Sequence, residues 1–338
     1  MIFMSTRNIF FLFLIFFQCF ACQQGKGSGQ QPDSISSEPS LQIRRFDKLL
    51  YNWLLQPQQS LPDKLSTEYQ PFWEIYTNNI IEVGSPNDAN IGEKVQTFFA
   101  DNDLFSLYTS AENAYDSIAD IELELGKAFN DLQLYFPEKQ LPVLYMHVSG
   151  LNQSVIVGED FLSLSIDKYL GEDYPLYYKY YGKHVRRNMI RTRIVPDYLT
   201  GWFYSEFDMG PENRLIDHMI YQGKILYALQ VILSDIPDVV LFGFSQQELD
   251  RCLENEKEIW NYILKNKHLY TTDYLIISKY MNEAPHSAFF SDDYPSRIGS
   301  FLGFRIVSQY MNKNKKVTLS DLLHQQNNQQ ILSKSKYK

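Results

Sequence analysis

Cysteine is nearly missing from this chain of 338 residues: there are three, and Cys19 and Cys22 both lie close to the start. Only Cys252 is left for the body, so an internal disulfide framework and a Cys-x-x-Cys metal or redox pair are excluded. A chain of this length buries a sizeable core without such staples, and Cys252 reads as a small buried apolar residue. A basic excess is also lacking. Lys and Arg total 31 against 40 Asp and Glu, for a formal net charge of −9, which argues against nucleic acid as a partner. There is no Gly-x-Ser-x-Gly elbow, no phosphate-binding glycine loop and no intact H-E-x-x-H. The apolar run 9–17 falls well short of the roughly 20 residues that a spanning helix needs.

That run has a different use. Arg7 precedes it and Ala21 stands immediately before Cys22, the order expected of a lipoprotein signal peptide over residues 1–21. Cleavage before Cys22 would leave that residue carrying covalent lipid, with the membrane reached through the anchor. Residues 22–40 are rich in Gln, Gly, Ser and Pro and read as a flexible tether, roughly 60 Å long when extended. Residues 41–323 then form one globular domain, and the polar residues 324–338 read as a frayed tail.

Within the body, Ile43, Phe46, Leu50, Trp53 and Leu54 share one helical face. Ile118, Ile121, Leu125, Phe129 and Leu132 repeat the pattern and should stop at Pro137. Short β-prone runs at 143–148 and 154–157 look like a hairpin, and 161–167 alternates as a strand with one wet face. Three helices follow. One contains residues 217–233. The second opens with a Ser245/Glu248 capping box and carries Leu249, Cys252, Leu253, Trp260, Ile263 and Leu264 on its apolar face. The third starts at Pro295 and places Gly299 and Gly303 where another element can approach closely. The tyrosines Tyr174, Tyr177, Tyr178, Tyr180 and Tyr181 suit either packing or a protein interface. Asp167, Glu172 and Asp173 around Gly171 fit turn chemistry better than a calcium loop.

Taken in order, Arg45-Phe46-Asp47, Tyr135-Phe136-Pro137, Leu164 to Gly171, Ile194-Val195-Pro196-Asp197, Met219-Ile220-Tyr221 with Gly223-Lys224, Asn255-Glu256 and Pro295 to Gly299 resemble the gliding-motility lipoprotein GldB family. The resemblance implies a lipid-anchored envelope protein that supports gliding and the associated type IX secretion, with its body on the periplasmic side. The family is in turn distantly similar to zincin-type metallopeptidases, which implies an α+β, mostly α-helical body with a small β-sheet. In such enzymes one helix carries H-E-x-x-H and a later helix supplies a glutamate. Here His218 and Gln222 have the spacing of the two histidines, but the base position falls on Met219. Starting the motif at Met219 puts its ligand positions on Met219 and Gly223. Glu256 stands where the third ligand would be expected. The site therefore reads as degenerate, with no catalytic residue, no metal and no cofactor. The body reads as a non-enzyme that binds a protein partner in the gliding or secretion machinery. The alternatives are a peptidase using His218, Gln222 and Glu256, or a transient assembly factor. Glu256 itself, on an apolar stripe, is expected to pair with Lys224, Arg297 or Arg305.

Overall fold

The computed structural model describes residues 41–56 and 58–338. The expected signal peptide 1–21, Cys22 and the tether 22–40 lie outside the described residues. The chain enters through β1 (Arg44–Arg45) and runs directly into α1 (Phe46–Leu54). Its expected apolar face is the buried one. Phe46 meets Phe72 of α2 (Gln70–Ile75) and Tyr76 just beyond it, with ring centroids 4.9 and 4.7 Å away, at edge-on geometries that favour aromatic pairs. α3 (Asn102–Ala114) starts at Asp101, whose carboxylate accepts from the N–H groups of Asp103 and Leu104 at 2.9 and 3.0 Å, satisfying donors that a helix start leaves free. α4 (Ala119–Tyr135) ends ahead of Pro137 as its spacing predicts.

β2 (Val143–His147), β3 (Val155–Val157) and β4 (Phe161–Ser165) complete a four-stranded sheet in the order β1-β2-β4-β3. The expected hairpin of β2 with β3 does not form: β2 runs parallel to β4, with Leu144 opposite Leu162, and β3 is antiparallel to β4. The intervening loop explains the difference. Gly150 and Leu151 both take positive φ (71° and 67°), and the Asp167 carboxylate accepts from the N–H groups of Ser149 (3.1 Å) and Leu151 (2.7 Å). The chain is thus held across the top of β4 and delivered to its far side. β4 also lacks the wet face its alternation predicts, since all of its residues are buried. α5 (Ile194–Glu206) covers one face, with Gly201 against Val155 and Leu162, while Phe72 stacks on Tyr145 from the other. The buried hydroxyls are satisfied locally: Ser163 Oγ lies 2.7 Å from His147 Nδ1, and Ser165 donates to Asp167.

The second half is helical: α6 (Leu215–Ile232), α7 (Asp238–Phe242), α8 (Gln246–Glu254), α9 (Glu256–Lys265), α10 (Tyr274–Met281), α11 (Ile298–Lys313), α12 (Leu319–His324) and α13 (Asn328–Ser335). α6 is apolar nearly all round and is the central helix. The Ser245/Glu248 capping box is present, but the helix it opens breaks at Asn255. The Asn255 amide donates to the Arg251 carbonyl at 2.9 Å, a side-chain bond that competes with helix continuation. Leu253 and Leu264 consequently leave the expected stripe and are exposed. α11 begins at Ile298, not at Pro295, because Arg297 intervenes in the left-handed region (φ 55°). Residues 324–338 do not form the expected frayed tail. Asn327 caps α13, and Ile331 and Leu332 bury against the body beside α11. Two apolar residues inside a Gln/Asn-rich stretch give it a face to bury. Among the described residues no helix is long and apolar enough to cross a membrane.

Candidate functional site

Residues 218–223 lie on α6 where that helix crosses α11. Gly303 and Gly223 make this possible, while Gly299, one turn before Gly303, leaves room for the end of α10. A Cβ on Gly223 would stand 2.2 Å from the Gly303 carbonyl carbon, and one on Gly299 would meet the Met281 sulfur at 2.5 Å. Met219, Ile220 and Gly223 are all buried. The register that starts at Met219 therefore belongs to a closed helix crossing, with backbone where a substrate would need space.

The other register faces outward and is engaged piecemeal. His218 Nε2 lies 2.6 Å from Asn213 Oδ1, and burial holds the imidazole below its ordinary pKa despite the nearby Asp217 charge. Gln222 Oε1 accepts from the Tyr204 hydroxyl at 2.8 Å. Glu256 starts α9 and turns to α11, accepting from Arg305 Nε at 2.9 Å and from the Tyr337 hydroxyl at 2.6 Å. Of the three cations expected for Glu256, Arg305 is the partner. Lys224 donates instead to the Gln325 carbonyl and Arg297 to the Phe242 carbonyl (3.0 Å). Glu256 is also less enclosed than its stripe position predicts, with 19 % of its side chain exposed and 42 % of Arg305. Among the described residues, no group of three or more His, Cys, Asp or Glu could hold a metal ion.

Lys224 is buried, and desolvation pushes its ammonium down to about 8. Its bond to the Gln325 carbonyl ties α6 to the segment ahead of α13. A second tie joins the same elements: the Asp217 carboxylate accepts from Arg214 Nε at 2.7 Å and from Asn328 Nδ2 at 3.1 Å. Burial alone would raise this carboxyl, but these bonds hold it below its usual range. Tyr337 and Asn328, both in the supposed tail, were not singled out in the sequence. The cue available was an apolar pair, Ile331-Leu332, with a late tyrosine.

An open cavity lies elsewhere. A cleft of about 600 Å³ has Lys183, Arg187, Asn188 and Arg193 on one side and the start of α8 on the other. Its basic wall comes from the run 183–193, where five Lys or Arg residues and His184 crowd together in an acidic chain. That density was the unread signal. Arg187 grips Glu248 through both terminal nitrogens, and Arg193 bonds Asp197 and the Val240 carbonyl. The tyrosine stretch divides: Tyr177 is buried, while Tyr178 and Tyr180 are exposed. Asp173 accepts from Tyr178, and Asp167 pins the 149–151 loop.

An α+β body of this kind, closed at the helix crossing and open at a cleft lined by charges of both signs, frames what the comparisons find. The family model for gliding motility protein GldB matches residues 28–338, and the chain belongs to that family. Membership gives it a role in gliding motility. Neither the curated proteins nor the solved structures contain a significant match.

Proposed function

We propose that this protein is a lipid-anchored component of the cell envelope that supports gliding motility and the associated type IX secretion by binding a protein partner, without catalysis. Its body would be a zincin-like scaffold whose site has degenerated, held to the membrane by lipid on Cys22 with the body on the periplasmic side. The observation that carries the non-catalytic reading is the close packing of Met219 and Gly223 under α11. The outward residues support it, since His218, Gln222 and Glu256 each have a separate partner. A hydrolytic zinc site needs converging ligands, an open position and a carboxylate base. The open cleft, lined by charges of both signs, offers a place for a partner segment.

Two measurements test the reading. Elemental analysis of the purified full chain is expected to find no stoichiometric zinc. Near-equimolar zinc that disappears in Glu256→Gln would overturn the non-catalytic reading in favour of a peptidase. Mild crosslinking in cells, followed by purification, is expected to recover an envelope protein in stable proportion. Recovery only during assembly would favour a transient factor.

A further inference from the structure

The stretch 312–338 reverses the charge of the chain that carries it. It holds six lysines against one side-chain carboxylate, Asp321, in a protein whose net charge is −9. Lys313, Lys315 and Lys316 stand at and just beyond the end of α11, and Lys334, Lys336 and Lys338 at and just beyond the end of α13. The fold brings the two groups to one corner. Lys313 Nζ donates to the Ser335 carbonyl at 2.8 Å, and the Gln309 amide donates to the Lys336 carbonyl at 3.4 Å. The docking of α13 holds them there, with Ile331 and Leu332 buried and the Tyr337 hydroxyl bonded to Glu256.

All six lysines are exposed, and among the described residues none lies within ion-pair distance of a carboxylate. Asp321 is turned to its own helix start, accepting from the Thr318 N–H and hydroxyl at 2.9 and 2.8 Å. Cations near a helix C-terminus offset its dipole, which accounts for Lys313 and Lys334, each in the last turn of its helix. It does not account for the other four, and like charges crowded together destabilise a fold by self-repulsion.

The chemistry of the corner selects its ligand. The stretch contains no arginine, so the paired donors that fit a single carboxylate or phosphate are missing and lysine point charges remain. Leu319, Leu322, Leu323, Ile331 and Leu332 are buried, which leaves no apolar centre of the kind that a protein interface desolvates. Tyr337 turns inward, its ring edge-on to Trp260 at 5.1 Å, so no aromatic platform is offered to a nucleic-acid base. A diffuse cationic field on an otherwise acidic body is what an anionic bilayer attracts.

We propose that this corner is a second membrane contact, docking the body on a bilayer surface that carries anionic phospholipid. This goes beyond partner binding and rests on the reading that Cys22 carries a lipid anchor. Such an anchor keeps the body within roughly 60 Å of the headgroups, where a weak cationic contact acts at high effective concentration. Acyl chain and polybasic patch together make a firmer attachment than one chain alone. The lipid sets the distance, and the lysines set which side of the body meets the bilayer.

The test reconstitutes the full chain through its anchor into vesicles of phosphatidylcholine alone or with about 30 % phosphatidylglycerol. A brief pulse of an amine-acetylating reagent follows, and mass spectrometry reads the label at each lysine. Labelling of Lys315, Lys316, Lys334 and Lys336 is expected to slow about threefold or more on the anionic vesicles, and about 0.5 M salt to restore it. Lys127 and Lys265, exposed elsewhere on the body, should label equally on both. Joint replacement Lys315→Gln, Lys316→Gln, Lys334→Gln and Lys338→Gln is expected to abolish the slowing at Lys336. The charge-matched control Lys64→Gln, Lys127→Gln, Lys265→Gln and Lys279→Gln should keep it. Equal labelling of the corner on the two vesicle types, slowing as large at Lys127 and Lys265, or slowing that survives salt overturns the proposal. Slowing found only in the crosslinked partner complex, and not on anionic vesicles, assigns the corner to an acidic protein and overturns it as well. The wild-type comparison decides even if a variant does not fold. Flotation with phosphatidylcholine vesicles checks the anchor separately. A chain that floats but shows no slowing loses the lysine contact and keeps the anchor, whereas a chain that does not float loses the anchor reading, and labelling on the anionic vesicles still decides the corner.

Discussion

Gly303 and Met219 meet backbone to backbone: a Cβ on Gly303 would stand 1.7 Å from the Met219 carbonyl oxygen. No rotamer relieves such an overlap, so α6 and α11 must separate to admit one methyl group. Gly303→Ala is expected to cost about 3 kcal/mol or more, seen as a lower urea midpoint at unchanged slope. Gly92, in the helix Ile91–Phe98, is the contrast. Its Cβ would make ordinary contacts at 3.5 Å, so Gly92→Ala should be neutral or stabilise by up to about 1 kcal/mol. Equal losses for the two variants would contradict the close crossing.

Removing residues 324–338 should destabilise the body by several kcal/mol, not leave it unchanged as loss of a frayed tail would. The truncation exposes what Ile331 and Leu332 cover, strips Asn328 from Asp217 and removes the Gln325 acceptor of buried Lys224. Chemical denaturation of the truncated chain measures the loss.

Glu256→Gln should cost about 1 kcal/mol or less. The Arg305 partner is well exposed, and ion pairs in that setting contribute little. A loss near the 3–5 kcal/mol of a broken buried pair would show that Glu256 is enclosed more completely than its exposure indicates.

Stability should fall as pH rises from about 4.5 to 8 through Glu112. Burial, with the neighbouring Asp47 carboxylate, pushes the Glu112 carboxyl up to about 8 against the pull of Arg45. The folded state thus keeps a proton that the unfolded chain gives up near its ordinary value. The contribution is fully present below about 4.5 and is lost by about 8. Glu112→Gln should flatten this part of the profile by on the order of 3 kcal/mol, read from denaturation midpoints across the range.

The amphipathic helices were legible because one side of each is wet. Ile43 to Leu54 and Ile118 to Leu132 carry a period that only a helix buries on one face. The close approaches at Gly299 and Gly303 were legible for a related reason, since glycines one turn apart leave gaps that only close neighbours fill, here α10 at Gly299 and α6 at Gly303. Strand pairing was not. It depends on Gly150, Leu151 and Asp167 acting together across a loop, which no local pattern displays. The motif residues around His218 were located correctly on one helix, yet the partner of Glu256 could not be chosen among three cations without knowing which way α9 turns at Asn255. The cleft needed a fold to bring the run 183–193 to α8.

The position of β1 has a mechanical consequence. Any pull on the chain ahead of residue 41 reaches Ile43, whose N–H donates to Glu122 at 2.8 Å, and then Arg44 and Arg45, paired in parallel with Tyr145 and Met146. The next residue is fully buried Phe46. Tension is therefore carried to the edge of the sheet and the aromatic core within a few residues of entry.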